Sequence, residues 1–288
     1  MSAAAATGRA EALAARLPPL LLAAERVAAT VAQGVHGRRR VGQGDSFWQF
    51  RPFSEGDPRS RIDWRQSAKS HRVYVRETEW EAAQTCFLWR DASASMRWHS
   101  ARNLSDKRAR AELLLLALAA LLLKAGERVR LLDSGPLAGG AAGLAGLAEA
   151  LDRAPASGSA NLALPGDAPL PRFARIVMFG DFLAPLDEIR TMITRLAAIP
   201  VAGFLVQTLD PAERALPYDG RMRFLGLEGE PAALIPRVEA VREAYQYRLA
   251  AQIAGIADLA RAARFGFFSH TTDQPPETAL LALYTALA

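Results

Sequence analysis

The sequence has a single cysteine, Cys86, so no disulfide can form within the chain. One thiol also excludes the multi-cysteine frameworks that hold structural zinc. Histidines are also few, and none of the four forms a pair at the spacing of metal ligands: His36, His71, His99 and His270. These absences argue against a disulfide-stabilised secreted domain and favour a reducing compartment.

The chain also lacks a long hydrophobic run. The longest, Leu113–Leu123, has eleven residues, far fewer than the roughly 20 that cross a bilayer as a helix. The alanine-rich N-terminus carries charges from Arg9 onward and is interrupted at Pro18 and Pro19, whereas a secretory signal keeps a continuous apolar stretch behind its basic residues. We therefore expect a cytoplasmic protein with no membrane span.

Phosphate-binding signatures are missing as well. No lysine follows a glycine anywhere in the sequence, which excludes the phosphate loop of P-loop nucleotide hydrolases. The glycines that cluster at Gly139, Gly140 and Gly143 lack the spacing of a dinucleotide-binding loop. No small-molecule substrate is expected.

Positive charge is concentrated in one segment. Between Arg38 and Arg76 there are ten arginine or lysine residues and four acidic ones. Such a segment is a solvated face with internal ion pairs, a surface for an acidic protein, or a nucleic-acid-binding surface. The last alternative, which we rank last, draws on aromatic residues suited to base stacking, Phe47, Trp48, Phe50 and Phe53. It predicts binding that weakens steeply with salt.

Residue patterning divides the chain into three stretches: N-terminal helices at 1–33, a basic module rich in arginine and aromatic residues at 34–81, and an α/β domain at 82–288. The basic module has strand-like pieces and is predicted to be β-rich. In the third stretch, short apolar runs such as 85–89 and 175–179 alternate with helical segments of ten or more residues. This alternation is typical of βαβ units and predicts a three-layer, doubly wound, mostly parallel sheet.

Polar residues follow two of the predicted strands, at the end of a doubly wound sheet where ligands bind. The first strand runs into Asp91, Ser93 and Ser95, and the third runs into Asp181. Alternate residues of an extended segment point the same way, so the first three side chains can face one ion. Their oxygens suit Mg²⁺ or Mn²⁺. The sequence predicts such a site if the two strands are neighbours, although Asp and Ser are also common helix caps and turn residues.

The segment Asp91–Ser95 resembles the metal-ion-dependent adhesion site of von Willebrand factor A domains. Further segments are similar to the bacterial domain-of-unknown-function 58 family, whose members contain a von Willebrand A-like domain: residues 42–47, 51–57, 62–68, 75–77 and 209–213. The resemblance extends from about Gly34 to the C-terminus. It implies metal coordination by Asp91, Ser93, Ser95 and Asp181.

The resemblance also implies a function. An adhesion site leaves one metal position open for a carboxylate of a partner protein, and genes of this family often lie beside a MoxR-type AAA+ ATPase. We therefore expect a non-enzymatic, metal-dependent adaptor that works with such an ATPase in protein remodelling or maturation. The second loop of an adhesion site supplies a threonine, but the loop at 155–171 has none. Ser157, Ser159 or Asn161 would have to replace it.

The basic module offers candidate partner-binding residues: Arg51, Asp57, Asp63, Trp64 and Arg65. Tryptophan and arginine are common interface anchors. The structural alternative has Trp64 filling the core of the small module, which we favour for that residue, and Arg51 paired internally with Asp57 or Asp63.

One enzyme class stays open as a minor alternative. Phosphatases of the haloacid dehalogenase type present a nucleophilic aspartate directly after a strand, as Asp91 is placed. The general acid expected two residues later is Ser93, and the acid expected four residues after Asp181 is Pro185. We therefore expect no enzyme activity.

Overall fold

A computed structural model of the chain describes residues 24–32, 47–53, 62–69, 72–78, 85–132, 138–139, 142–153 and 163–287. The chain divides into two compact units. One spans His36–Gln84, and the other combines the N-terminal segment with Thr85–Ala288.

The smaller unit contains a pair of antiparallel strands, β1 (Phe47–Pro52) and β2 (Tyr74–Thr78). Between them in sequence lies a one-turn helix, α2 (Trp64–Ser67). The Ser67 hydroxyl accepts the Tyr74 N–H at 2.9 Å, which fastens this helix to the second strand. The described part of the predicted β-rich module is therefore a strand pair with a short helix attached.

The larger unit is a mixed α/β structure. Its strands are β3 (Thr85–Arg90), β4 (Arg128–Leu131), β5 (Arg175–Gly180), β6 (Ala202–Leu209), β7 (Met222–Phe224), β8 (Ala233–Ile235) and β9 (Gly266–Thr271). Its helices are α1 (24–32), α3 (Lys107–Lys124), α4 (Ala142–Arg153), α5 (Leu186–Ala197), α6 (Pro211–Ala215), α7 (Arg242–Ala262) and α8 (Pro276–Leu287).

Five of these strands form one parallel sheet in the order β4-β3-β5-β6-β9. The strand order reverses between β3 and β5, so the two strands that carry the predicted ligands are neighbours, as the sequence analysis required. An isolated antiparallel bridge joins Val129 of β4 to Ala138. The strands β7 and β8 pair antiparallel with each other in a separate two-stranded sheet.

Helices cover both faces of the parallel sheet. Along β3, Cys86 and Leu88 belong to the apolar cluster that includes α1, α3, α4 and α8. The alternate residues Phe87 and Trp89 belong to the cluster that includes α5 and α7. This alternation follows from the two-residue period of a strand, and it confirms a layered α/β architecture with a parallel sheet in the middle.

The longest apolar run of the sequence lies in α3, where every residue from Leu114 to Leu123 is buried. Across the described ranges, no helix is long and apolar enough to cross a membrane. The N-cap of this helix is Asp106, because its carboxylate accepts the Ala109 N–H at 2.6 Å.

Two glycines allow aromatic rings to cover the sheet where β6 pairs with β9. Phe204 lies opposite Gly266, and a methyl group on Gly266 would be 2.1 Å from the Phe204 ring. On the other face, a methyl group on Gly203 would be 2.3 Å from the Phe265 ring. Each ring thus fills the space that a side chain on the glycine would need.

We expect Gly266→Ala to lower the free energy of unfolding by about 1–3 kcal/mol, because overpacking forces the Phe204 ring from its position. The matched control is Gly146→Ala in the middle of α4, where an added methyl group would meet no atom within 4 Å. The control raises stability by about 0.5–1 kcal/mol through helix propensity. Urea denaturation measures both, and effects of the same sign would contradict this account of Gly266.

Candidate metal site

The carboxyl ends of β3 and β5 lie side by side, because the strands pair in parallel with Arg90 opposite Phe179. The ladder continues one residue further, since the Asp91 N–H donates to the Phe179 carbonyl at 2.8 Å. Asp91 and Asp181 therefore leave the sheet next to each other. A methyl group on Gly180 would lie 3.2 Å from Asp91 Oδ2, so the glycine leaves room for this carboxylate.

The four predicted metal ligands meet at this edge of the sheet. Asp91 Oδ1 accepts the Ser93 N–H at 2.8 Å, which turns the loop back toward the strand end. The hydroxyl oxygens of Ser93 and Ser95 are 3.0 Å apart. The Ser95 hydroxyl in turn donates to Asp181 Oδ2 at 2.7 Å. The two loops are thus joined by side-chain hydrogen bonds.

Asp91 is the most deeply placed carboxylate of the group, with no exposed surface. Its second oxygen, Oδ2, has no hydrogen-bond partner in the described part of the chain. Burial raises the pKa of Asp91 to about 7, and the negative charge of Asp181 acts in the same direction. A buried carboxylate with a free oxygen is stabilised by a nearby cation.

Sequence reasoning missed a buried cation, the ammonium group of Lys107. Its Nζ donates to Asp181 Oδ2 at 2.9 Å and to Glu213 Oε1 at 2.6 Å, and its side chain is fully buried. Burial lowers the pKa of Lys107, but the two carboxylates outweigh this effect and hold the pKa above its ordinary value. Lys107 is the first residue of α3, where the helix dipole disfavours a positive charge. That unfavourable position was the only sequence signal available.

Glu213 reaches Lys107 because of how α6 begins. Asp210 caps this helix, accepting the Ala212 N–H at 2.8 Å, and Pro211 occupies the first helical turn. The Glu213 carboxylate closes the capping box by accepting the Asp210 N–H at 2.8 Å. Burial raises the pKa of Glu213, while the charge of Lys107 opposes this rise. The segment 209–213, singled out in the sequence, is therefore a helix cap that also presents a carboxylate to Lys107.

A further carboxylate reaches the site from the hairpin formed by β7 and β8, which the sequence analysis did not predict. Glu228, in the loop between these strands, accepts the Ser95 N–H at 3.1 Å. Each strand has only three residues, too few for a period-two pattern to be recognised.

A divalent cation of the Mg²⁺ type fits the oxygen donors. With ligand distances of about 2.1 Å in octahedral coordination, neighbouring oxygens are about 3 Å apart. The oxygens of Ser93 and Ser95 are separated by 3.0 Å, and those of Ser95 and Asp181 by 2.7 Å. Within the described ranges no group of three or more His, Cys, Asp or Glu side chains is arranged to hold a metal. Serine hydroxyls would therefore have to complete the donor set beside Asp91 and Asp181.

The second-loop candidates Ser157, Ser159 and Asn161 lie outside the described residues. The replacement of the adhesion-site threonine by one of them stays a prediction.

The candidate partner-binding residues of the basic module are only partly described. Asp63 caps α2 by accepting the Gln66 N–H at 2.9 Å. Trp64 is 68% exposed, so its interpretation as a core filler is wrong; no residue of the helix α2 is buried. Arg65 is also exposed, Arg51 lies on β1, and Asp57 lies outside the described residues. Their role in partner binding stays a prediction.

A family model with the description "Protein of unknown function DUF58" matches residues 49–255. The chain belongs to the DUF58 family. The matched region of this DUF58 protein includes all of the side chains that meet at the candidate metal site.

Comparison with curated proteins finds no match. Among solved structures, this DUF58 chain is similar to the crystal structure of the conserved hypothetical protein BatB from Bacteroides thetaiotaomicron. The identity is 11%, and the match covers 71% of this chain and 98% of that chain with a TM-score of 0.38. A TM-score this low supports no conclusion about fold or function.

Proposed function

We propose that this DUF58 protein is a non-enzymatic adaptor whose von Willebrand A-like domain binds Mg²⁺ or Mn²⁺ and uses the metal to bind another protein. The observation that carries the proposal is the convergence of Asp91, Ser93, Ser95 and Asp181 at the point where the strand order reverses. The proposed partner is a MoxR-type AAA+ ATPase, its client protein, or both, in the cytoplasm.

The residues of the site have different roles in the proposed metal binding. Asp91, Ser93, Ser95 and Asp181 would hold the ion, with the free Asp91 Oδ2 as the first carboxylate ligand. Lys107 contacts Asp181 from the helix side and offsets part of the negative charge that two adjacent carboxylates create. The bound ion would supply a positive charge and an open coordination position for a partner's carboxylate.

We expect saturable binding of Mg²⁺ and Mn²⁺ to the purified protein, weakened at least about tenfold in Asp91→Asn and in Asp181→Asn. Asparagine keeps the shape of each side chain and removes its charge. Isothermal titration calorimetry measures the affinities. The matched control is Asp258→Asn, since Asp258 lies on the exposed surface of α7 paired with Arg261.

Two results would overturn the metal proposal: no binding to the unmodified chain, or equal affinities in all three variants. The adaptor role is tested on the same samples with a purified MoxR-type AAA+ ATPase. Association should require Mg²⁺, disappear with chelator, and depend little on salt. Association that persists in chelator and weakens steeply with salt would instead favour the basic module.

A further inference from the structure

The hairpin of β7 and β8 places one carboxylate against the loop that carries the serine ligands. Glu228 Oε1 accepts the Ser95 N–H at 3.1 Å, and Ser95 also supplies a hydroxyl to the site. Ser95 lies 133 residues before Glu228 in the sequence. The contact is therefore made by the folded hairpin and not by the local course of the site loop.

Contacts and glycines at the tip of the hairpin hold Glu228 in this position. The Glu228 N–H donates to Glu230 Oε2 at 2.9 Å. A methyl group on Gly226 would lie 2.6 Å from the Glu230 carbonyl oxygen, so the turn requires glycine there. Gly229 has a φ of 96°, which glycine adopts without strain. Both glycines and Glu230 thus serve one conformation of the tip.

Within the described strands, β7 and β8 pair only with each other, through three residue pairs. Next to Glu228 the hairpin exposes leucines to 67%, 49% and 51%: Leu225, Leu227 and Leu234. A short hairpin with exposed apolar side chains around one partly buried polar contact can move away from the site when that contact is exchanged for another.

We propose that the Glu228 carboxylate, at the Ser95 N–H beside the metal site, stands in for a partner's carboxylate, and that a partner binds by displacing the hairpin tip. The partner segment would have the chemistry of the tip itself, an acidic side chain beside apolar ones. The inference rests on the proposed function, since it takes this edge of the sheet as the partner-binding site. It adds that the unliganded chain closes the site with its own side chain.

Acetate, the simplest carboxylate, serves as the probe on the full chain. The Ser95 amide signal is identified in ¹H–¹⁵N spectra by selective serine labelling and by its loss in Ser95→Ala. We expect Glu228→Ala to shift this signal and added acetate to return it toward its position in the unmodified chain. Acetate should bind the variant at least about tenfold more tightly, because the internal competitor is gone. The matched control, Glu243→Ala on the exposed start of α7, should behave like the unmodified chain.

An unchanged Ser95 signal in Glu228→Ala, or acetate responses equal to those of the unmodified chain, would overturn the inference. A Mg²⁺ titration of the same samples separates this result from a failure of the proposed function. If Mg²⁺ binds through Asp91 and Asp181 but the Ser95 amide signal does not respond to Glu228→Ala or acetate, only the hairpin inference is wrong. If the Ser95 amide signal responds as expected but Mg²⁺ does not bind, the metal proposal is wrong and the carboxylate position is still supported.

Discussion

Lys107→Met lowers the free energy of unfolding by about 3–5 kcal/mol, because it leaves buried carboxylates without their counter-charge. Lys107 is fully buried and its ammonium group contacts both Asp181 and Glu213. Methionine fills a similar volume and has good helix propensity, so the loss reports the missing charge and not a cavity or a broken helix. Chemical denaturation with urea at neutral pH measures the change.

The matched control is Lys124→Met at the other end of the same helix, where the lysine is exposed. Its expected effect lies within about 0.5 kcal/mol of zero. Adding Glu213→Gln to Lys107→Met should recover part of the loss, because one of the uncompensated charges is then removed. A Lys107→Met protein as stable as the control would show that the ammonium group does not compensate these carboxylates.

Asp210→Ala is the second large effect, a loss of about 3 kcal/mol, because one carboxylate serves two parts of the chain. Asp210 Oδ1 caps α6 through the Ala212 N–H, and Oδ2 accepts the Ser100 N–H at 2.9 Å. The side chain has no exposed surface, so alanine leaves the buried Ala212 N–H unsatisfied and also removes the partly buried bond from the Ser100 N–H. The same denaturation experiment measures the loss.

Asp210→Asn separates the two contributions, since asparagine still caps a helix but offers one acceptor oxygen instead of two. We expect it to retain roughly half of the stability that alanine loses. Asp219→Ala is the surface control: Asp219 is 78% exposed in its pair with Arg242, and such pairs contribute about 0–1 kcal/mol. Equal losses at Asp210 and Asp219 would show that the Asp210 contacts do not stabilise the fold.

The parallel sheet and the convergence of Asp91 with Asp181 could be predicted because they depend on short-range patterns. Apolar runs alternate with helical segments, and strands that run parallel end at one edge. The sequence alone did not show whether the strands that end at Asp91 and Asp181 are adjacent. The strand order shows that they are.

Other parts of the site could not be predicted, because they depend on contacts between distant segments. A lysine at the start of a helix is ordinarily exposed, and only the positions of Asp181 and Glu213 make burial of Lys107 tolerable. Glu228 lies between two strands that are too short to show an alternating hydrophobic pattern in the sequence. Trp64 was misassigned because a large aromatic side chain favours burial by type, whereas no residue of its helix is buried.

The helix α1 shares one apolar cluster with α8, although the two helices are far apart in the sequence and the residues of the smaller unit come between α1 and β3 along the chain. The larger unit is thus discontinuous along the polypeptide. During synthesis, the apolar face of α1, which includes Val27 and Val31, is made long before the residues of α8 that complete its cluster. Such long-range closure slows folding and leaves an apolar helix exposed in the meantime, a state that chaperones recognise.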